Sequence, residues 1–217
     1  MRTLRLLLIS LLATACAHRM DSSTVSSLSD AYNMRNRQVR RHYDGIRVAQ
    51  AAHHLVGRTS LSVGDRSFRN DCSGFVDAAY HTAGYILEGR NSAAMFELAK
   101  DSNVYHRRRR PLPGDVAFFD NTWDRNQNGR IDDRLTHVAV VEKVDENGTI
   151  TLVHNGSRGV KRLYMNLYDR HETRSAAGDV INSYLRHRTN HDRRRTRYLS
   201  AELWRGFASL WKLDDAK

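Results

Sequence analysis

The stretch that decides the fold is NDCSGFVDAAY, residues 70–80. Asp71 can cap a helix that begins at Cys72, because its carboxylate can accept hydrogen bonds from the N–H groups of the first turn. Apolar residues then recur at helical spacing on one face, namely Phe75, Val76, Ala79 and Tyr80. Gly84 marks the end of this pattern. The segment therefore predicts a helix with one buried face and a cysteine at its N-terminus.

The N-terminus of the chain has the pattern of an export signal. Arg2 and Arg5 precede an apolar run at residues 6–12, and small residues follow up to Cys16. The run is too short to span a bilayer as a mature helix. Two processing routes fit: cleavage after an A-x-A site, or lipoprotein maturation, in which Cys16 becomes the diacylated first residue. We expect the second route, and a protein anchored by lipid to the membrane and facing the periplasm; the first would give a periplasmic or secreted protein.

Cys72 lies where a thiol nucleophile would be placed. The positive end of a helix dipole favours a thiolate, and free N–H groups there can hold a developing oxyanion. The chain contains two cysteines, Cys16 and Cys72. If Cys16 carries lipid, Cys72 remains a lone thiol in an oxidising compartment, which indicates a function. A buried structural cysteine is the alternative.

Residues 136–154, THVAVVEKVDENGTITLVH, predict a β-hairpin that carries two histidines. A four-residue loop at 145–148 would set Val144 opposite Thr149 and Ala139 opposite His154. His154 would then be a diagonal neighbour of His137 on the same face of the sheet. A three-residue loop would instead turn His154 to the opposite face. We expect the first register, which gives the thiol a base and the base an orienting partner.

Three blocks of the sequence together resemble the NlpC-type and CHAP cysteine peptidases and amidases of bacterial cell walls. They are DCSGFVDAAY at 71–80, PLPGDVAFFD at 111–120 and the hairpin at 136–154. The resemblance implies that Cys72 is the nucleophile, His137 the general base and His154 the third, orienting residue. The long separation of the two histidines is closer to the CHAP pattern, whereas a histidine in third place is more typical of the NlpC type.

Two further sites, one for the substrate and one for a metal ion, are suggested by less specific sequence patterns. The resemblance implies that Asp71 and Ser73 hold a free amino end of the substrate, although both also fit a plain role as helix caps. Residues 124–133, DRNQNGRIDD, match the opening of a calcium loop with Gly129 at its turn. Its donors would be Asp124, Asn126, Asn128, Arg130 and Asp132. The twelfth position is Leu135 rather than a glutamate, so a polar surface turn is the alternative.

The charge of the chain bears on its partners. The formal net charge is +11 at pH 7, and runs of arginine lie at residues 107–110 and 193–195. Such a surface favours an anionic partner, which includes nucleic acid, anionic lipid and an acidic wall polymer. The export signal and the lack of aromatic residues within the arginine runs argue against nucleic acid.

These observations predict an α+β, papain-like fold, with N-terminal helices and the Cys72 helix packed on an antiparallel sheet. We expect residues 1–15 to be a signal peptide, 16–40 a lipidated cysteine and flexible tether, and 41–217 a monomeric catalytic domain. An apolar stripe further predicts a C-terminal helix with Leu199, Leu203, Trp204, Phe207, Leu210 and Trp211. The expected function is hydrolysis of a peptidoglycan amide without a required cofactor, calcium being the candidate ion. The alternatives are a non-catalytic wall-binding module and an acyl transferase with the same triad.

Overall fold

The computed structural model describes residues 30–31, 34–35, 44–190 and 192–213. The chain divides into two compact units, Met1–Gln38 and Val39–Lys217. The described residues of the first unit are helical. The fold that follows is that of the second unit. Among the described residues, no helix is long and apolar enough to cross a bilayer.

The second unit is built around a six-stranded antiparallel sheet. Its strands are β3 (Tyr105–His106), β4 (Val116–Phe119), β5 (His137–Val144), β6 (Thr149–Gly156), β7 (Gly159–Asn166) and β8 (Trp204–Ala208). Their order across the sheet is β3-β8-β4-β5-β6-β7. A separate two-stranded ribbon pairs β1 (Ser62–Val63) with β2 (Arg66–Ser67). The helices are α1, whose described part covers residues 44–54, α2 (Cys72–Thr82), α3 (Ser92–Asp101) and α4 (Ser200–Leu203), with a 3-10 turn at Leu210–Lys212.

Both faces of the sheet are buried. On one face the side chains of Val138, Val140 and Val153 pack against the helices α1, α2 and α3. On the other face Ala139, Val141 and Leu152 join a second core, which the C-terminal residues cover. The prediction of an α+β fold with the Cys72 helix packed on an antiparallel sheet is confirmed.

Helix α2 has the boundaries that its sequence predicts. The Asp71 carboxylate accepts a hydrogen bond of 2.7 Å from the Gly74 N–H, and the helix begins at Cys72. All four predicted core residues are fully buried, and Ala78 on a neighbouring face is buried as well. The Tyr80 hydroxyl donates a hydrogen bond of 2.8 Å to the Gly114 carbonyl, so the helix is tied to the turn before β4.

The β5–β6 hairpin has two registers joined by a β-bulge. Near the turn Val144 pairs with Ile150, so the prediction that it faces Thr149 is wrong. Farther along, Val140 pairs with Val153, because the register shifts by one residue between Val141 and Lys143. If the pairing of Val140 with Val153 is continued by one residue along each strand, Ala139 lies opposite His154, as the sequence predicts. The bulge leaves Glu142 as the extra residue and confines the one-residue difference to the turn.

The predicted C-terminal helix is wrong beyond its first turn. The helix α4 ends at Leu203, and Trp204 begins the strand β8, which pairs with β4 on one side and β3 on the other. A strand that is covered on both faces presents apolar residues without strict alternation, and such a run is easily mistaken for a helical stripe. The residues between β7 and α4 that the structure describes form loops and turns.

Gly74 gives a test of how tightly α2 is packed at its start. An added Cβ would clash with the Arg69 carbonyl oxygen, so Gly74→Ala requires the backbone before the helix to move. In an uncrowded helix this change would stabilise the protein by about 0.5–1 kcal/mol. Here we expect a destabilisation of about 1–3 kcal/mol in chemical denaturation. A stabilising effect would show that the close approach of Arg69 is absent.

Candidate active site

Cys72 and His137 line the same pocket, which has a volume of about 560 Å³. Cys72 comes from the first residue of α2, and His137 from the first residue of β5. Contacts between α2 and β5 bring these two element ends to one pocket. The other lining residues are Asn70, Asp71, Asn91, Ser92, Ala93, Trp123, Arg125, Leu135, Thr136, Asn155, Gly156 and Ser157.

The environment of the Cys72 thiol combines opposing effects. Burial raises the pKa of the thiol, and the hydrogen bond from the Val138 backbone opposes this rise. The charge of Asp71 raises the pKa further, whereas the N–H groups of Ser73 and of Cys72 itself lower it. Burial is the largest of these effects, so the resting group is a thiol. This differs from the thiolate that the helix dipole alone predicts.

The two histidines of the hairpin are in direct contact. His137 Nε2 and His154 Nδ1 lie 2.8 Å apart, within hydrogen-bonding distance. Their rings are nearly perpendicular, with centroids 4.9 Å apart and an interplanar angle of 81°. His154 is 4% exposed and stands behind His137 rather than in the pocket lining. The second imidazole can therefore fix the orientation of the first.

Both imidazoles are neutral near pH 7. Burial lowers the pKa of His137 to about 4, and the positive charge of Lys161 contributes to the decrease. Burial also lowers the pKa of His154, with further contributions from His137 and Lys161. A neutral His137 that accepts a proton at Nδ1 must carry its own proton at Nε2, so Nε2–H donates to His154 Nδ1 in that state.

The comparison with protein families agrees with this geometry. Residues 62–156 match the family model of the CHAP domain. The match includes α2 and the β5–β6 hairpin, and it confirms the resemblance drawn from the three sequence blocks.

A solved structure gives a more distant likeness. It is the crystal structure of a Staphylococcus aureus protein described as similar to a lipoprotein of the NLP/P60 family, with 22% sequence identity and a TM-score of 0.35. The likeness covers 55% of this chain and 36% of that protein, so the matched part spans about a third of that protein's length. A likeness of this size shows neither the activity nor the partners of the chain. No curated protein matches the chain significantly.

The residues predicted to hold the substrate amine have structural partners. The Asp71 carboxylate accepts a hydrogen bond of 2.8 Å from the Ser73 hydroxyl as well as the one from Gly74. Arg69 donates a hydrogen bond of 2.9 Å to the Ser73 hydroxyl oxygen. Asp71 lines the pocket and Ser73, which is buried, does not. The capping role is therefore present, and binding of an amino group stays a prediction.

Asn70 and Asn155 form a link that sequence reasoning missed. The Asn155 amide donates a hydrogen bond of 2.8 Å to the Asn70 side-chain oxygen, which joins the residue after His154 to the segment before α2. Asn70 in turn donates to the Thr59 carbonyl. Both asparagines line the pocket together with Cys72 and His137. Its only sequence signal is that each asparagine adjoins a predicted site residue.

The predicted calcium loop is folded through its own polar groups. Asp124 accepts hydrogen bonds from the backbone N–H groups of Asn128 and Gly129, and the Asn128 oxygen accepts one from the Arg130 N–H. Asp133 is 3% exposed and accepts a hydrogen bond from the Arg125 N–H. Asn126 and Asp132 accept hydrogen bonds from Asn128. No group of three His, Cys, Asp or Glu side chains suited to a metal occurs among the described residues.

Calcium binding therefore stays a prediction. The lipidation predicted at Cys16, the signal peptide and most of the tether lie outside the residues that the structure describes.

Titration of His137 should appear in the pH dependence of stability. Its folded pKa of about 4 lies below the ordinary value of 6.5, so the unfolded chain binds more protons between these values. His137 therefore makes the protein more stable as pH rises through this window. We expect His137→Gln to lose less unfolding free energy than the wild type when the pH is lowered from 6.5 to 4, as measured by urea denaturation.

His54→Gln is the control, because it replaces an exposed histidine that does not line the pocket. If His137→Gln also followed the wild-type curve, His137 would not be neutral and buried in the folded protein.

Proposed function

We propose that this chain is a cysteine-dependent amide hydrolase of peptidoglycan, with Cys72, His137 and His154 as its catalytic triad. One observation carries the proposal: a thiol at a helix start shares a pocket with an imidazole that a second imidazole contacts. The match of residues 62–156 to the CHAP domain supports a peptidoglycan hydrolase. The net charge of +11 suits an anionic wall polymer.

The neutral resting state of the site defines the first step. Because burial keeps Cys72 protonated, its proton must pass to His137 Nδ1 as the sulfur attacks the carbonyl carbon. The Nε2–H bond to His154 then stabilises the imidazolium that forms. The carbonyl oxygen gains negative charge at the start of α2, where the N–H groups of Cys72 and Ser73 lie against the thiol.

Breakdown of this adduct completes acylation. The C–N bond breaks, and the proton on His137 passes to the leaving amine, so that a thioester remains on Cys72. Water then attacks the thioester while His137 takes one of its protons. The C–S bond breaks, the sulfur recovers the proton from His137, and the carboxylic acid leaves. The triad thus returns to its neutral form.

The bond that is cut lies either within the stem peptide or between muramic acid and its L-alanine. We further propose that the chain is exported, anchored through a lipid on Cys16, and monomeric. Export and the lipid anchor are inferred from the N-terminal sequence.

The test compares purified peptidoglycan digested by the wild type, Cys72→Ala and Cys16→Ser. We expect wild type and Cys16→Ser to release the same products and Cys72→Ala to release none above background, because Cys72 lines the pocket and is the proposed nucleophile. Mass spectrometry identifies the bond: new amino ends on stem peptides indicate an endopeptidase, and free lactyl groups on muramic acid an amidase. Products joined to an added amine would indicate acyl transfer.

Equal activity of Cys72→Ala and wild type would contradict the triad. Inactivity of all three proteins, with wall binding retained, would favour the non-catalytic wall-binding module.

A further inference from the structure

One wall of the pocket comes from the loop between β4 and β5 and is outside the triad. Trp123 and Arg125 line the pocket from this loop, and the Trp123 side chain is 52% exposed. An exposed indole beside a pocket is a large apolar surface available to a ligand. Arg125 is exposed as well. Its guanidinium makes no hydrogen bond or ion pair with any residue in the described part of the chain.

The backbone that carries these side chains is held in place. Thr122 donates hydrogen bonds of 2.9 Å from both its N–H and its hydroxyl to the Thr136 hydroxyl oxygen. The Arg125 N–H donates to the carboxylate of Asp133, which is 3% exposed. Thr136 directly precedes His137, so the loop is fastened next to the proposed base. A loop fixed before binding loses less entropy when it binds a ligand.

The fixed charges around the pocket are few. Besides Cys72 and His137, the ionisable residues in its lining are Asp71 and Arg125. Asp71 has a partner nearby, since its carboxylate lies 3.6 Å from Arg69 Nε. Arg125 is therefore the one cation in the lining, and its guanidinium forms no ion pair with any residue that the structure describes. The pocket is in the size range that holds a small ligand or a short peptide segment.

We propose that Arg125 and Trp123 form a specificity subsite for a free carboxylate on the peptide that is cut. The guanidinium would bind the carboxylate through two parallel, charge-assisted hydrogen bonds. A neutral carboxamide has one acceptor oxygen and no negative charge, so it would bind more weakly. The Trp123 ring would pack against the aliphatic part of the same residue. This inference rests on the proposed function and adds to it the chemistry of the substrate: an acidic residue close to the scissile amide, in its unamidated form.

The experiment uses two synthetic stem peptides that differ in one group, a carboxylate or a carboxamide on the acidic residue next to the scissile amide. For the wild type we expect kcat/KM to be about 10- to 100-fold higher on the carboxylate peptide, the range expected for hydrogen bonds to a charged group. Arg125→Gln should lower the value for the carboxylate peptide to that for the carboxamide peptide. Arg125→Lys should keep part of the preference, because it retains the charge without the two-pronged geometry.

Arg134→Gln is the matched control, because Arg134 is exposed on the same loop and does not line the pocket. It should keep the wild-type preference, and thermal denaturation should show that all variants are folded. A wild type that cuts both peptides equally, or an Arg125→Gln variant that keeps the preference, would overturn the subsite while leaving the hydrolase intact. Cleavage of neither peptide and of no peptidoglycan would overturn the proposed function and this inference with it.

Discussion

The register of β5 against β6 is the constraint on which the rest of the site depends. Val140 and Val153 face the helices, while Val141 and Leu152 face the second core, so both faces of this pair are buried. A slip of one residue would turn each of these side chains to the wrong core. The turn has a register that differs by one, and the bulge at Glu142 absorbs the difference. The contact between the two histidines is therefore fixed by the core and not by the turn.

Burial and the helix start act against each other at Cys72, and burial is the larger effect. The same burial keeps the imidazole of His137 neutral. In the proposed reaction the site thus begins as a thiol and a neutral base, and charge appears only as the substrate is attacked. In such a site the stabilisation of charge contributes in the transition state and not in the resting enzyme. His154 and the first turn of α2 are placed where that charge would form.

Much of the site could be predicted from sequence because its signals are local. The capped helix and the hairpin each follow from one short segment, and the alternation of side chains along β5 and β6 places His137 and His154 on one face. The predicted pairing next to the turn was wrong because the sequence pattern does not indicate the β-bulge at Glu142. The prediction of a C-terminal helix was wrong because β8 is buried on both faces, so apolar and polar residues do not alternate along it. Burial of the thiol and the wall formed by Trp123 and Arg125 depend on distant loops, which single-sequence patterns do not reveal.

The hydrogen bond between His137 and His154 is the part of this account that can be measured most directly. In protein labelled with ¹⁵N-histidine, NMR can detect a coupling across an N–H···N hydrogen bond. We expect a coupling between His137 Nε2 and His154 Nδ1 near pH 7, with both imidazoles neutral, and we expect its loss in His154→Ala. Two histidines that show no coupling and titrate independently near the ordinary pKa of 6.5 would contradict the triad.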